Sequence, residues 1–276
     1  MNLKTLNPTV SAAAAFGDQL RKSRIEMGLP QEQLGALLGC TGSHISGLET
    51  AVKSPGREFA EKLDRLFGTG LMFQILRRAI SEGVFMDGFA ALCAEESNAR
   101  QIRQFDVGVI PGLFQTLRYA QTLAMTHVQA GTITEAQARE RVSFLEARQR
   151  RLIHNSSSPM HYAVLEESCL RRVVGGAEVM LEQLDHLEKL SARPRITLQA
   201  VTFAMGDLRP FNGPIVLVTM KDRSLVGYAE SAARGYLERD SDLLASWELA
   251  YDQLQAGALS PAQMLDLIKA IRKDLQ

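Results

Sequence analysis

The sequence predicts a mainly α-helical chain, in which a five-helix N-terminal domain precedes an α+β domain with a small sheet. Apolar residues recur at the helical period through most of residues 16–80. Runs of β-branched residues divided by glycine and proline occur only later, at 195–203, 215–220 and 225–229. A length of 276 residues is also typical of about two domains.

Composition divides the chain into four predicted segments. We expect residues 1–15 to form a flexible arm, 16–80 the helical domain, 81–104 a linker helix, and 105–276 the α+β domain, which would serve regulation and dimerisation. The N-terminus lacks a basic stretch followed by a strongly apolar one, and no segment has the length and hydrophobicity of a membrane span. We therefore expect a cytoplasmic protein that makes no membrane contact.

Residues 31–49, QEQLGALLGCTGSHISGLE, predict two short helices joined by a tight turn. Gly39 suits the turn because glycine takes a positive φ at no steric cost. Thr41 is a good N-cap for the second helix. The apolar positions that we expect to face inward are Leu34, Leu37, Leu38, Ile45 and Leu48.

The outward positions of the second helix are small or polar, as in a helix-turn-helix that presents this helix to a DNA major groove. We expect Gln31 to bond a phosphate, and Ser43 and His44 to reach base edges. Two of the reading positions are glycines, so DNA shape readout and contacts from the arm remain an alternative to direct readout. The predicted DNA-binding residues are Gln31, Thr41, Gly42, Ser43, His44, Ser46, Gly47 and Lys53.

Residues 16–67 resemble the Xre-type, phage-repressor-like helix-turn-helix domain, through FGDQLRKSRIEMGL, the helix pair and GREFAEKLDRLF. The resemblance implies that residues 41–49 read DNA and that Arg24 pairs with Glu49. Pro30 departs from the pattern, because a Ser or Asn usually caps the first helix of the pair. Proline fits a first helical turn, so we expect a changed cap and a retained helix.

Four later segments, VIPGLFQTLRYAQTL, AVLEESCLRRVVGGAEVMLEQLDHL, RITLQAVTF and GALSPAQMLDLIKAI, carry a second resemblance. In this order they are similar to the C-terminal domain of antitoxin-like regulators, a group associated with toxin–antitoxin pairs. With the first resemblance, this one covers the chain from Phe16 onward. It implies a transcriptional regulator whose gene often lies beside that of a small partner protein.

Charge permits DNA binding without favouring it. The whole chain is formally neutral, whereas residues 1–80 hold ten Lys or Arg and seven Asp or Glu, a net charge of +3, which leaves −3 for the rest. Such a weakly basic domain would need a dimer to collect enough phosphate contacts, and its binding should be sensitive to salt.

No motif predicts catalysis, a metal or a cofactor. The five histidines and three cysteines lack metal-ligand spacing, and we expect Cys40, Cys93 and Cys169 to be free thiols. No base is placed beside Ser168 or Cys169, so we expect no enzyme. Arg171 and Arg172 before a glycine pair could bind an anion, although such pairs are more often turns.

The sequence thus predicts a sequence-specific, homodimeric DNA-binding transcriptional regulator, modulated through its C-terminal domain by a protein partner or a small ligand. One alternative is an antitoxin-type module that sequesters a small partner protein and binds DNA only to regulate itself. Another is a ligand-sensing regulator that encloses a small molecule in its C-terminal domain.

Overall fold

The structure, a computed structural model, describes residues 12–82, 88–231 and 235–276. The helices are α1 Ala12–Glu26, α2 Gln31–Leu38, α3 Gly42–Glu49, α4 Arg57–Phe67, α5 Met72–Glu82, α6 Phe89–Glu95, α7 Leu117–Gln129, α8 Glu135–Leu152, α9 Glu167–Arg171, α10 Gly176–Ser191, α11 Ser241–Ala256 and α12 Pro261–Asp274. The strands are β1 Ala99–Asp106, β2 Met160–Glu166, β3 Ile196–Val201, β4 Ile215–Met220, β5 Leu225–Glu230 and β6 Gly235–Glu238. The predicted mainly helical architecture with one sheet is confirmed.

The chain forms two compact units. The first comprises the described residues of Met1–Ser97 and Ser231–Leu237, and the second comprises Asn98–Glu230 and Glu238–Gln276. None of the helices within the described residues is long and apolar enough to cross a membrane.

The first unit is a helical bundle built on buried aromatic and aliphatic side chains. Phe16 of α1 and Phe73 of α5 meet edge to face, with ring centroids 5.3 Å apart. Asp64 of α4 accepts hydrogen bonds from the backbone N–H groups of Phe73 at 2.9 Å and Gln74 at 3.1 Å, and so caps the start of α5. Lys22 of α1 is paired with a carboxylate of α6 at 3.1 Å.

The N-terminal arm predicted over residues 1–15 is wrong for its last four residues. Residues 12–15 begin α1, and Ala14 and Ala15 are buried. The alanine run is therefore helix, as its high helix propensity allows. Residues 1–11 lie outside the described part of the chain. Ile25, near the end of α1, is 60% exposed.

The second unit is organised on a mixed sheet that contains the strands β3-β2-β1-β4-β5 in this order. β1 pairs in parallel with β2, and β2 with β3, whereas β4 is antiparallel to both β1 and β5. The parallel pairs need crossovers, which α7 and α8 supply between β1 and β2, and α9 and α10 between β2 and β3. Tyr251 of α11 is fully buried in a core with Phe105, Val164 and Leu217 of the sheet.

The linker helix predicted over residues 81–104 is wrong for its last six residues. Residues 83–87 lie outside the described residues, Phe89–Glu95 is helical, and residues 99–104 belong to the central strand β1. This strand carries polar side chains that are buried and have partners, which hid its pattern. Arg103 pairs with Glu248 of α11, and the Gln104 amide donates to Asp106 at 2.9 Å. β6 was also not predicted.

Candidate nucleic-acid interface

The corner between α2 and α3 is set by a left-handed turn and a side-chain cap. Gly39 has φ 76° and ψ 33°, and the Cys40 N–H donates to the Gly35 carbonyl at 2.8 Å. The Thr41 hydroxyl accepts from the His44 N–H at 3.2 Å and caps α3. A Cβ added at Gly35 would lie 2.7 Å from the Cys40 carbonyl oxygen, so the approach of the two helices requires glycine there.

The inner side of the corner is apolar, as predicted, with one exception. Leu34, Leu38, Ile45 and Leu48 are buried, whereas Leu37 is 61% exposed on the outer face of α2. Positions 34 and 38 are one helical turn apart and share a face, while position 37 is rotated away from that face. Pro30 stands at the N-cap position of α2 with no side-chain cap, and the helix is retained.

A fully buried carboxylate fixes α3 against α1 and α2. Glu49 accepts from Arg24 Nε at 2.6 Å and Nη2 at 3.1 Å, and from Gln31 Nε2 at 2.8 Å. Arg21 Nε approaches the same carboxylate at 3.4 Å. The ion pair that the first resemblance implied between Arg24 and Glu49 is thus present, within a larger network that joins three helices.

Gln31 has a structural role in this network in addition to the predicted phosphate contact. One amide hydrogen of Gln31 is committed to Glu49, and the side chain is half-buried at the start of α2. The amide leaves a second N–H for an external acceptor. Its contact with a phosphate stays a prediction.

The outward face of α3 is formed by short side chains. Ser43 is exposed, and Ser46 is half-buried one turn further on. Thr50, which the sequence reasoning did not include, follows on the same face and donates its hydroxyl to the Ser46 carbonyl at 2.8 Å. The His44 ring meets Phe59 of α4 edge to face at 5.5 Å, so His44 also contributes to packing.

The two glycines predicted to face DNA each have a neighbour within the protein. A Cβ added at Gly42 would lie 2.9 Å from Cγ of Glu32, which indicates that this glycine allows the approach of α2 to α3. A Cβ added at Gly47 would lie 2.9 Å from Cδ of Lys53. The aliphatic part of Lys53 therefore lies against Gly47, and this contact sets the lysine beside the outward face of α3.

Exposed cations follow the end of α3. Lys53 is exposed in the loop to α4 and makes no ion pair with another described residue. Arg57, the first residue of α4, is exposed and pairs with Glu61 at 3.1 Å. The sequence reasoning missed Arg57, although a basic residue shortly after the second helix was a visible signal for a phosphate contact.

The segment around Ser168 and Cys169 is not arranged as a nucleophile site. Burial, together with the charges of Asp106 and Glu166, raises the pKa of the Cys169 thiol far above its usual range. Such a thiol is a poor nucleophile at neutral pH. The Ser168 hydroxyl donates to Glu166 and accepts from the Gly108 N–H at 3.0 Å, which orders the loop after β1.

The arginine pair that precedes the glycines is engaged within the fold. Arg171 pairs with Glu167 at 2.5 Å, and Arg172 Nε donates to the Gly108 carbonyl at 2.8 Å. Gly175 and Gly176 take φ of 71° and 84° at the start of α10, in keeping with a turn. Among the described residues, no three His, Cys, Asp or Glu side chains are grouped to hold a metal ion.

Two protein-family models match the chain. Residues 15–71, which run from within α1 through α4, match a helix-turn-helix domain. Residues 89–270 match a domain of unknown function (DUF5753). Neither a curated protein nor a solved structure matches the chain. The first match supports a DNA-binding regulator, and the second extends over more than half of the chain, so this protein belongs to the DUF5753 family and carries a helix-turn-helix domain at its N-terminus.

Proposed function

We propose that this protein is a sequence-specific transcriptional regulator that reads the major groove of double-stranded DNA with α3. The observation that carries the proposal is the asymmetry of this helix. Ile45, Leu48 and Glu49 are buried on one side, whereas the small residues from Ser43 to Thr50 lie on the other. A helix fixed in this way can enter a groove without rearrangement.

Within this function, Ser43 and His44 reach base edges, and Gln31 and Lys53 contact phosphates. The short side chains bring the backbone of α3 close to the DNA. Because few of them can discriminate bases, the sequence-dependent shape of the groove contributes to specificity as well.

We further propose that two copies pair through their C-terminal units and place two α3 helices in successive major grooves. Half-sites would then lie about 34–36 Å apart, one turn of the double helix. The head, which is the helix-turn-helix domain of residues 16–80, is only weakly basic, and a dimer doubles its phosphate contacts. A protein partner or small ligand bound to the C-terminal unit would change the spacing or affinity of the heads.

The test is a footprint of the purified protein on the DNA upstream of its own gene, comparing wild type with Ser43→Ala and His44→Ala. Each substitution should weaken specific binding by about tenfold, because a base contact contributes roughly 1–3 kcal/mol. Ser241→Ala, the same change at an exposed position of the second unit, is the matched control and should leave the footprint unchanged.

Thermal unfolding of each variant distinguishes a lost DNA contact from lost packing within the domain, since His44 also contacts Phe59. Folded variants with unaltered DNA protection and affinity would show that α3 is not the reading helix.

Inserting five base pairs between the half-sites tests the paired arrangement, because it turns one half-site to the opposite face of the duplex.

An antitoxin that sequesters a small protein is the alternative retained from the sequence. It predicts that the product of the adjacent gene co-purifies with this chain and that the chain relieves growth inhibition by that product. If the complex forms while Ser43→Ala and His44→Ala leave that relief intact, DNA reading is secondary to sequestration.

A further inference from the structure

A groove runs between α2 and α4 on the first unit, and Gly39 of the turn before α3 also lines it. Its volume is about 610 Å³, and its apolar walls include Ala36 and Leu37 of α2 and Leu66 of α4. Lys62 and Arg65 of α4 complete its lining, and no acidic residue lines it. The lining of the groove thus combines apolar side chains with two positively charged ones.

Leu37 is an exposed apolar residue of this groove, with 61% of its surface accessible. A single exposed leucine is ordinary on a protein surface. This one serves no purpose in the helix corner, because Leu34 and Leu38 already fill the inner side of α2. It contributes instead to the shallow apolar surface between α2 and α4.

The two cations of the groove are free of partners among the described residues. Neither Lys62 nor Arg65 makes an ion pair or a side-chain hydrogen bond there. Of the acids of α4, Glu61 pairs with Arg57 and Asp64 caps α5, while Glu58 is exposed in the first turn of the helix. By contrast, α1 pairs its own Lys22 and Arg24.

Position along α4 offsets the two cations from the contact with His44. Phe59, which meets His44, lies near the start of α4. Lys62 and Arg65 follow about one and two helical turns later, and the charge of Lys62 also acts on Cys40 in the turn before α3. A second copy of the same groove would oppose like charges and is disfavoured as an occupant.

We propose that the α2–α4 groove docks an acidic amphipathic helix of a protein partner. Apolar side chains of the partner contact Leu37 and Leu66, and its carboxylates pair with Lys62 and Arg65. These two cations are three residues apart on one helix face, which matches carboxylates spaced by one turn on a helical ligand. Docking at this groove does not depend on DNA reading by α3.

The test uses the full chain with labelled leucine methyl groups and a synthetic 18-residue helical peptide. The peptide carries leucines on one face and glutamates beside them. Two control peptides replace either the leucines by serine or the glutamates by lysine. Methyl shifts centred on Leu37, Leu38 and Leu66, produced by the acidic peptide alone, are the expected result.

Groove variants provide the decisive comparison. Leu37→Ser and the double variant Lys62→Glu, Arg65→Glu should each weaken the acidic peptide at least about tenfold. The double variant should gain affinity for the lysine peptide, a reversal that loss of folding cannot produce. Val52→Ser and Arg57→Glu, exposed positions outside the groove, are matched controls and should leave peptide affinity unchanged.

Three results would overturn the proposal. The first is an absence of groove-dependent peptide binding. The second is a loss of DNA affinity in the double variant without peptide binding, which would assign the cations to phosphates. The third is dissociation of a homodimer by Leu37→Ser in sedimentation, which would make the groove a contact between copies of this chain.

Discussion

At the scale of single residues, the first unit depends on a carboxylate that has no access to solvent. Glu49 connects Arg24 of α1 and Gln31 of α2 to the end of α3 through hydrogen bonds of 2.6–3.1 Å. A buried charge is tolerated only when it is paired and hydrogen-bonded. The arrangement therefore gives orientation to the reading helix, since any rotation of α3 would break several of these bonds.

Asp106, at the end of β1, gives a prediction for pH dependence. Burial raises the pKa of this carboxyl to about 7, opposed by the Gln104 hydrogen bond and increased by the nearby Glu230 charge. In the unfolded chain its pKa is about 3.9. Between these values the folded protein holds a proton that the unfolded chain has released, so the free energy of unfolding falls as pH rises from about 4 to about 7.

Asp106→Asn removes the titratable carboxyl, and the amide oxygen of the asparagine can still accept a hydrogen bond from Gln104. We expect the variant to match wild type near pH 4 and to be more stable at pH 8, by about 1 kcal/mol because the side chain is only half-buried. Urea unfolding at both pH values measures the difference. Asp222→Asn is the control: hydrogen bonds from Ser224 lower the pKa of Asp222, so it should show no change between pH 5 and 8. Equal pH profiles for wild type and Asp106→Asn would contradict the raised pKa.

At the scale of elements, the segment between β1 and α7 is held by three buried glutamines. Gln183 of α10 donates to the Phe114 carbonyl at 2.8 Å and accepts from the Thr116 N–H at 2.7 Å. Gln149 of α8 donates to the carbonyls of Gly112 and Gln115, both at 2.8 Å. The third, Gln115 itself, donates to Ile110 at 2.6 Å. The segment from Ile110 to Gln115 is thus a largely buried stretch around a short 3-10 turn at Gly112–Phe114, and side chains satisfy several of its backbone groups.

Gln183→Leu should destabilise the second unit by roughly 2–4 kcal/mol, because it leaves two buried backbone groups without partners. Denaturant unfolding followed by circular dichroism measures the loss. Combining it with Gln149→Leu should cost less than the sum, since both side chains hold the same segment. Gln253→Leu, an exposed position on α11, is the matched control. A loss no greater than that of the control would show that water or a rearranged segment satisfies these groups.

The elements that sequence predicted well are those whose signals are local. Thr134 with Gln137 and Ser260 with Gln263 form capping boxes, a pattern visible in sequence because the partners are three residues apart. Strand β1 was missed because its polar residues are satisfied from a distance: Arg103 meets Glu248, 145 residues later. In the candidate interface, the corner followed from glycine and leucine spacing, whereas the contacts of Gly42 with Glu32 and Gly47 with Lys53 required the fold.

At the scale of the whole molecule, the net charge does not indicate which cationic side chains are available to contact phosphates. The chain is formally neutral. In the first unit Arg21 and Arg24 are bound by Glu49, and Lys22 by α6, so α1 has little charge to offer a phosphate. Lys53 has no ion-pair partner among the described residues and lies against Gly47, beside the outward face of α3. DNA affinity should therefore depend on a small number of such cations.

The salt dependence of binding measures this number and the number of heads on the DNA together. Each phosphate contact contributes about 0.9 to the slope of log K against log salt concentration. In a dimer, Lys53→Ala removes two contacts and should lower the slope by about 1.8, whereas a single bound head would lose about 0.9. Lys221→Ala, an exposed lysine of the second unit, is the control and should leave the slope unchanged. Fluorescence anisotropy on one operator duplex between roughly 50 and 200 mM salt gives the slopes. An unaltered slope for Lys53→Ala would remove this lysine from the interface, and a fall near 0.9 would exclude two heads bound at once.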